Sequence, residues 1–194
     1  MLWTVPRMWG GETVFILGAG PSLRSFDRSL LLGRRVMVIN YAEIFPAADF
    51  LIATDANPAL PSLPGRSVTL STTTDGRWHR LWDTGPDGIE TECPSCARGR
   101  RTSLQLALNV AVHLGCARAI LLGADMATAD DGATHWDGRA DPRYADGAMV
   151  RDVYLPALAS TVEPLAAIGL EVINATPGSM LPFWPVVPIG DVIA

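Results

Sequence analysis

Short apolar runs recur along the chain, separated by polar or glycine-containing links. The runs are continuous rather than alternating, which is typical of strands buried on both faces of a parallel sheet. Segments with helical spacing of apolar residues lie between several of them. Strands are predicted at Thr13–Leu17, Arg35–Ile39, Phe50–Ala53, Ser67–Leu70, Ala119–Leu122 and Leu170–Ile173, and helices at Leu23–Leu32, Thr102–Leu114 and Val150–Ile168.

This alternation predicts an α/β fold with a mainly parallel sheet and helices on both faces. The chain has 194 residues, 48% of them hydrophobic, which suits one compact domain over residues 1–194. Residues 72–101 are interrupted by glycine and proline and are predicted to form an irregular loop or lid. Residues 180–194 are rich in proline and apolar side chains. They are expected either to pack as an extended C-terminal arm or to make a homo-oligomer contact.

The first predicted strand leads into the turn Gly18-Ala19-Gly20-Pro21-Ser22. Glycines let a ligand approach the backbone closely, and a following helix start offers unpaired N–H groups to a phosphate. A tight turn that needs glycine only for its shape is the alternative. The turn departs from a dinucleotide site, because Leu23 replaces the third glycine and Asn40 follows the second strand instead of an acidic residue. All basic residues are arginine, which excludes a P-loop.

Ligands of parallel α/β folds bind beyond the carboxyl ends of the strands. Candidates there include Asn40, Asp55 and the segment Gly123–Met126. Asp125, at the tip of a strand, is suited to orienting a sugar hydroxyl, holding Mg²⁺ or capping the next turn. His135 follows in a polar loop where burial is not expected. Its near-neutral pKa makes it the best general-base candidate, and a surface histidine without a role is the alternative.

A basic run, Arg98–Arg101, precedes the predicted helix that starts at Thr102-Ser103. Arginine beside a helix N-terminus suits a phosphate or carboxylate, and this favours a nucleotide-binding role for Arg101, Thr102 and Ser103. A solvated basic turn is the alternative.

Three cysteines do not make a disulfide framework. Cys93-x-x-Cys96 and His113-x-x-Cys116 do have the spacing of a zinc site. In the alternative interpretation His113 and Cys116 only close a helix packed on the sheet, and no metal is bound.

The net charge of −5 gives no support to broad electrostatic binding of nucleic acid. No apolar stretch is long enough to span a bilayer, so a cytoplasmic protein without a membrane partner is expected.

Four blocks together resemble the MptE-like and motility-associated-factor superfamily of domains of unknown function, which is related to bacterial CMP-sialic-acid-dependent sialyltransferases. The first is G-x-G-P-S-L at Gly18–Leu23, and the second is Thr102-Ser103 leading a helix that ends in L-G. The third combines G-x-D at Gly123–Asp125 with Thr134-His135, and the fourth is N-x-[ST]-x-G at Asn174–Gly178. Small members of this kind look like phage or prophage proteins, which would act in the host cytoplasm.

The resemblance implies a Rossmann-like domain that binds a nucleotide, with Asn40 and Ser103 at positions that hold CMP in the sialyltransferases. Ala19 departs from their asparagine, and Met126-Ala127 stand where they carry tyrosines. A glycosyltransferase-like enzyme using a CMP-type nucleotide sugar and an unknown acceptor is therefore the leading hypothesis, with His135 and Asp125 as catalytic residues. The alternatives are a Mg²⁺-dependent diphosphokinase, with Asp55 and Asp125 holding the metal against ATP, and a nucleotide- or sugar-binding protein without turnover.

Overall fold

The sheet contains all six strands that the apolar runs predict, with bounds that differ by at most one residue. The computed structural model describes residues 2–54, 62–63, 65–70, 76–144 and 146–193. Almost every residue of the central strands is buried, which is why their sequences are continuously apolar. The strands of the main sheet are β1 (Thr13–Leu17), β2 (Arg35–Ile39), β3 (Phe50–Ala53), β4 (Ser67–Thr69), β5 (Trp78–Arg80), β8 (Arg118–Leu122) and β9 (Glu171–Asn174), and β6 (Trp82–Asp83) pairs with β7 (Cys96–Ala97) outside it.

All seven strands of the main sheet are parallel, in the order β5-β4-β3-β2-β1-β8-β9. The chain runs outward from β1 in one direction as far as β5, and then returns to the other side of β1 to add β8 and β9. The direction of strand addition therefore reverses between β1 and β8. In open parallel sheets this reversal opens a crevice at the carboxyl ends of the two strands, where ligands bind.

Both α-helices pack on one face of the sheet. Helix α1 (Ser103–Leu114) begins at Thr102, whose side chain accepts a hydrogen bond from the Leu104 N–H at 3.3 Å. It ends at Gly115, which has φ 86° and closes the helix in the left-handed conformation. Helix α2 (Leu155–Ala167) continues from a π-helical segment, Met149–Tyr154. No helix among the described residues is long and apolar enough to cross a membrane.

The opposite face of the sheet is covered by short 3₁₀-helices, so both faces are covered and the predicted fold class is confirmed. A single helix over Leu23–Leu32 is wrong, since two one-turn helices, Pro21–Arg24 and Arg28–Leu31, replace it. Asp27 separates them, because its carboxylate accepts from the Ser29 N–H at 2.9 Å and starts the second helix anew. Leu23 and Leu31 are still buried against the sheet.

Two segments outside the predicted elements also take part in the fold. The stretch predicted as an irregular loop contains β5, whose Trp78 is buried, as well as β6 and β7; its residues 72–75 lie outside the described residues. In the C-terminal segment, the Val187 N–H bonds the Asn174 carbonyl at 2.9 Å, and Leu181 and Trp184 are buried. A hydrophobic core lies on each face of the sheet, and these two segments add buried residues to both cores.

Candidate functional site

A cavity of about 510 Å³ opens at the carboxyl ends of β1, β2, β3 and β8, where the strand order reverses. Its lining includes most of the residues singled out in the sequence, which are Gly18, Ala19, Gly20, Asn40, Arg101, Thr102, Ser103, Gly123, Asp125 and His135. Pro21 and Ser22 are not part of the lining. Asp55 lies outside the described residues. One cavity thus brings together residues that are more than 100 positions apart in the chain.

The glycine turn after β1 is packed directly against the turn after β8. The Gly20 N–H donates to the Gly123 carbonyl at 3.0 Å, and the Ser22 N–H and hydroxyl donate to the two Asp125 carboxylate oxygens at 2.9 and 2.8 Å. These N–H groups are therefore already bonded within the protein, and the expectation that they would face a phosphate is wrong for Gly20 and Ser22. The turn requires glycine at both positions, because a Cβ at either Gly18 or Gly20 would overlap the Gly123 backbone.

Asp125 caps the glycine turn, which lies far before it in the chain, whereas the sequence suggested the turn after it. It is 8% exposed, and this burial raises the pKa of its carboxyl group, while the hydrogen bonds from Ser22 act in the opposite direction. Behind it, Thr176 and Ser179 bond the backbone of Ala124 at 3.1 and 2.7 Å. The N-x-[ST]-x-G block therefore supports the Asp125 turn from below and does not line the cavity.

The N-terminus of α1 joins the strand ends through a network of hydroxyl groups. Ser103 Oγ donates to Asn40 Oδ1 at 3.2 Å and accepts from the Thr54 N–H at 3.0 Å, and Thr54 Oγ1 lies 2.9 Å from the same oxygen. No described residue bonds Asn40 Nδ2, which leaves that donor for a ligand. Arg101 also lines the cavity, and its Nε is 3.7 Å from Asp87, too far for a hydrogen bond.

Two residues of the cavity wall have strained backbones. Asn40 after β2 has φ 63° and Met126 after β8 has φ 52°, and they are the non-glycine residues with positive φ among the described ranges. Left-handed conformations cost most L-residues about 1–2 kcal/mol, asparagine adopts them more readily, and they cluster at functional sites. Both residues line this one cavity, which makes it the candidate functional site.

His135 is buried, contrary to the expectation of an exposed loop position. It is 9% exposed, and its ring is in edge contact with the rings of Tyr41 and Tyr144 at centroid distances of 5.6 and 6.1 Å. Burial lowers the pKa of His135, and the positive charge of Arg139 adds to this effect. The imidazole is therefore neutral at pH 7, as a general base requires.

Thr134 contacts one ring nitrogen of His135 and leaves the other free of described partners. Thr134 Oγ1 accepts from the Asp141 N–H at 2.9 Å and donates to the Arg139 carbonyl at 3.2 Å. Thr134 Oγ1 also lies 2.7 Å from His135 Nδ1. With the Nδ1–H tautomer in this contact, Nε2 carries the lone pair that a general base needs, and no described residue bonds it.

Sequence reasoning missed the aromatic side of the cavity. All three tyrosines of the chain, Tyr41, Tyr144 and Tyr154, contribute to its lining. Tyr41 follows Asn40 directly, so the expectation that ligands bind beyond the carboxyl ends of the strands could have identified it. Tyr144 and Tyr154 belong to a 3₁₀-helix and to the π-helical segment before α2, and no strand end marks them.

The predicted zinc site is not assembled in the described part of the chain. Cys93 and Cys96 are joined in a disulfide, which the cysteine count did not predict, and His113 Nε2 bonds the Cys96 carbonyl at 2.9 Å. Cys116 is buried, and burial raises the pKa of its thiol to about 12. No group of three or more His, Cys, Asp or Glu side chains in the described ranges is arranged to hold a metal ion. The four residues with zinc-site spacing are therefore not arranged as metal ligands, and both Asp125 oxygens expected to bind Mg²⁺ are bonded to Ser22.

Comparisons with family models, curated proteins and solved structures found no match to this chain. The resemblance carried by the four sequence blocks therefore stays a prediction.

Proposed function

We propose that the protein is a glycosyltransferase-like enzyme that binds a nucleotide sugar in this cavity. The observation that carries the proposal is the position of His135, which lines the same cavity as the N-terminus of α1 and Arg101 and has no described partner at Nε2. A general base is thereby combined with an anion-binding end, and sugar transfer from a phosphate leaving group needs both.

The phosphate groups of the donor would lie at the N-terminus of α1. A helix of 12 residues presents unpaired N–H groups and the positive end of its dipole there. Arg101 adds a cation that is not hydrogen-bonded to a described carboxylate, and Asn40 Nδ2 adds a neutral donor. These groups would stabilise the charge that develops on the phosphate as the bond to the sugar breaks.

In the proposed reaction the acceptor hydroxyl gives its proton to His135 Nε2. The acceptor oxygen then attacks the anomeric carbon of the donor, and the bond from that carbon to the phosphate oxygen breaks. The nucleotide leaves with the electron pair of that bond. General-base catalysis of this kind contributes about 10²–10⁴-fold.

Calorimetric titration with CMP, CDP, UDP, GDP and ATP, each with and without Mg²⁺, tests the binding step. Micromolar binding of one pyrimidine nucleotide without metal, weakened in Arg101→Gln, supports the proposal. Binding of ATP that requires Mg²⁺ overturns it in favour of phosphoryl transfer, and no binding overturns any nucleotide role for the cavity.

Release of the nucleotide from the corresponding nucleotide sugar tests the chemical step. His135→Gln should lower the rate by about 10²-fold or more while nucleotide affinity stays within about twofold. A matched variant at His79, which lies at the far edge strand and bonds the Gly65 carbonyl, should keep the rate. Tight binding without release by the wild-type protein would mean that the protein is not an enzyme of this class.

A further inference from the structure

A row of four aromatic rings runs along the cavity. It begins at Tyr41, beside the Asn40 that bonds α1, and continues through His135 to Tyr144 and Tyr154. The rings of Tyr144 and Tyr154 are 6.0 Å apart. His135 thus stands between the α1 end of the cavity and a second end formed by these two tyrosines and Met149, which we call the tyrosine end.

The two hydroxyl groups of the tyrosine end bond each other at 3.2 Å. Burial raises the pKa of Tyr144, so its hydroxyl stays protonated at physiological pH. Their mutual bond uses one proton and one lone pair, which leaves the pair with one donor and several acceptor positions. A group that both accepts and donates hydrogen bonds satisfies this combination, and a ligand hydroxyl is such a group.

The charges around the tyrosine end favour an uncharged ligand. Arg143 is the cation that lines it, and its Nε lies 3.1 and 3.0 Å from the two Asp141 carboxylate oxygens, with a further contact from Nη2. This ion pair leaves little positive charge for an anionic ligand. Arg101 at the α1 end has no such hydrogen-bonded partner among the described residues.

The backbone that carries Tyr154 has an unusual form. Met149–Tyr154 is a π-helical segment of six residues, and its first and last residues both line the cavity. π-helical turns are rare and occur frequently at functional sites. Here the segment supplies an apolar thioether and an aromatic face beside the tyrosine hydroxyls.

We propose that the tyrosine end holds the acceptor, and that the acceptor is an uncharged carbohydrate whose ring packs on the faces of Tyr144 and Tyr154. The carbon-bound hydrogens of a sugar ring pack on an aromatic face, and its hydroxyls match the free donor and acceptors of the tyrosine pair. One hydroxyl of that sugar is then within reach of His135. This inference rests on the proposed function, because it assigns the second substrate of the same reaction.

Saturation-transfer NMR with the methyl glycosides of glucose, galactose, mannose and N-acetylglucosamine tests the inference. At least one neutral glycoside should bind, and methyl glucuronide, which carries a carboxylate, should bind more weakly. Tyr154→Ala should weaken binding on the order of fivefold, and Tyr154→Phe, which keeps the ring, should weaken it less. Trp82→Phe changes an exposed aromatic residue outside the cavity lining and is the matched control.

Calorimetry with the nucleotide separates this inference from the proposed function. If Tyr154→Ala keeps the nucleotide affinity and the thermal stability of the wild type but weakens glycoside binding on the order of fivefold, the inference holds. If it loses nucleotide affinity instead, the rings hold the base of the donor and the inference is overturned while nucleotide binding stands. Binding of none of the neutral glycosides, or stronger binding of methyl glucuronide, also overturns it. Failure of the wild-type protein to bind any nucleotide refutes the proposed function itself.

Discussion

Gly20→Ala should destabilise the protein by about 4 kcal/mol, because the new Cβ would overlap the Asp125 carboxylate and lie 2.7 Å from the Gly123 carbonyl oxygen. The Gly123 oxygen belongs to the backbone at the end of β8 and has little room to move. The carboxylate would therefore have to turn away from Ser22, which breaks two hydrogen bonds to a buried charged group. Hydrogen bonds to charged groups contribute about 1.5–3 kcal/mol each, and together they give this magnitude.

Urea denaturation followed by tryptophan fluorescence measures the effect. For a chain of 194 residues, a loss of about 4 kcal/mol corresponds to a fall in melting temperature of roughly 8–16 °C. Ser22→Ala removes one of the two hydrogen bonds and should cost about half as much. Gly10→Ala is the matched control, since nothing lies within 4 Å of its Cβ position. A Gly20→Ala protein within about 1 kcal/mol of the wild type, with an unchanged m value, would refute the reasoning.

Three further predictions concern titration and reactivity. Because the pKa of His135 is lowered from 6.5, the unfolded chain binds this proton more readily than the folded protein does. The free energy of unfolding should therefore fall as the pH drops below 6.5, and urea titrations at several pH values should show a smaller fall in His135→Gln. Equal falls in the two proteins would contradict the lowered pKa. In ¹⁵N NMR spectra, Thr134→Val should remove the preference of His135 for the Nδ1–H tautomer, and Thr134→Ser should keep it. An unchanged tautomer in Thr134→Val would exclude a positioning role for Thr134. Cys116 should resist a thiol reagent at pH 8 until the chain unfolds, and two more thiols should appear after reduction of the Cys93–Cys96 disulfide. Rapid labelling of the native protein would show that the Cys116 thiol is accessible.

The sheet could be predicted closely because burial on both faces leaves a strong sequence signal. Val14–Leu17, Val36–Ile39, Phe50–Ala53 and Ala119–Leu122 are apolar at every position, as strands buried on both faces require. β5 lacks the signal, because it is an edge strand of three residues with polar His79 and Arg80. The segment predicted as a helix over Leu23–Leu32 has apolar positions that do face the sheet. Asp27 divides the segment by a local hydrogen bond, and the spacing of apolar residues gives no sign of such a bond.

The site was predictable to the extent that it follows from topology. Strand-end residues of β1, β2 and β8 meet because the carboxyl ends of parallel strands share one edge. The bonds between Ser22 and Asp125 were not predictable, since they depend on how two turns 103 residues apart fit together. The burial of His135 was missed for a related reason. The burial of His135 depends on its contact with Tyr144, and neither residue lies at the end of a strand, where the sequence would have marked it.

At Met126, an unfavourable left-handed backbone carries a side chain that helps to shape the cavity. Met126→Gly would relax the backbone by about 1 kcal/mol and, at the same time, remove a side chain that forms part of the wall. The Met126 side chain also packs against the core, so its loss offsets the backbone gain while the binding site widens. A substitution made there for heat resistance would therefore loosen the selectivity of the cavity without a matching gain in stability.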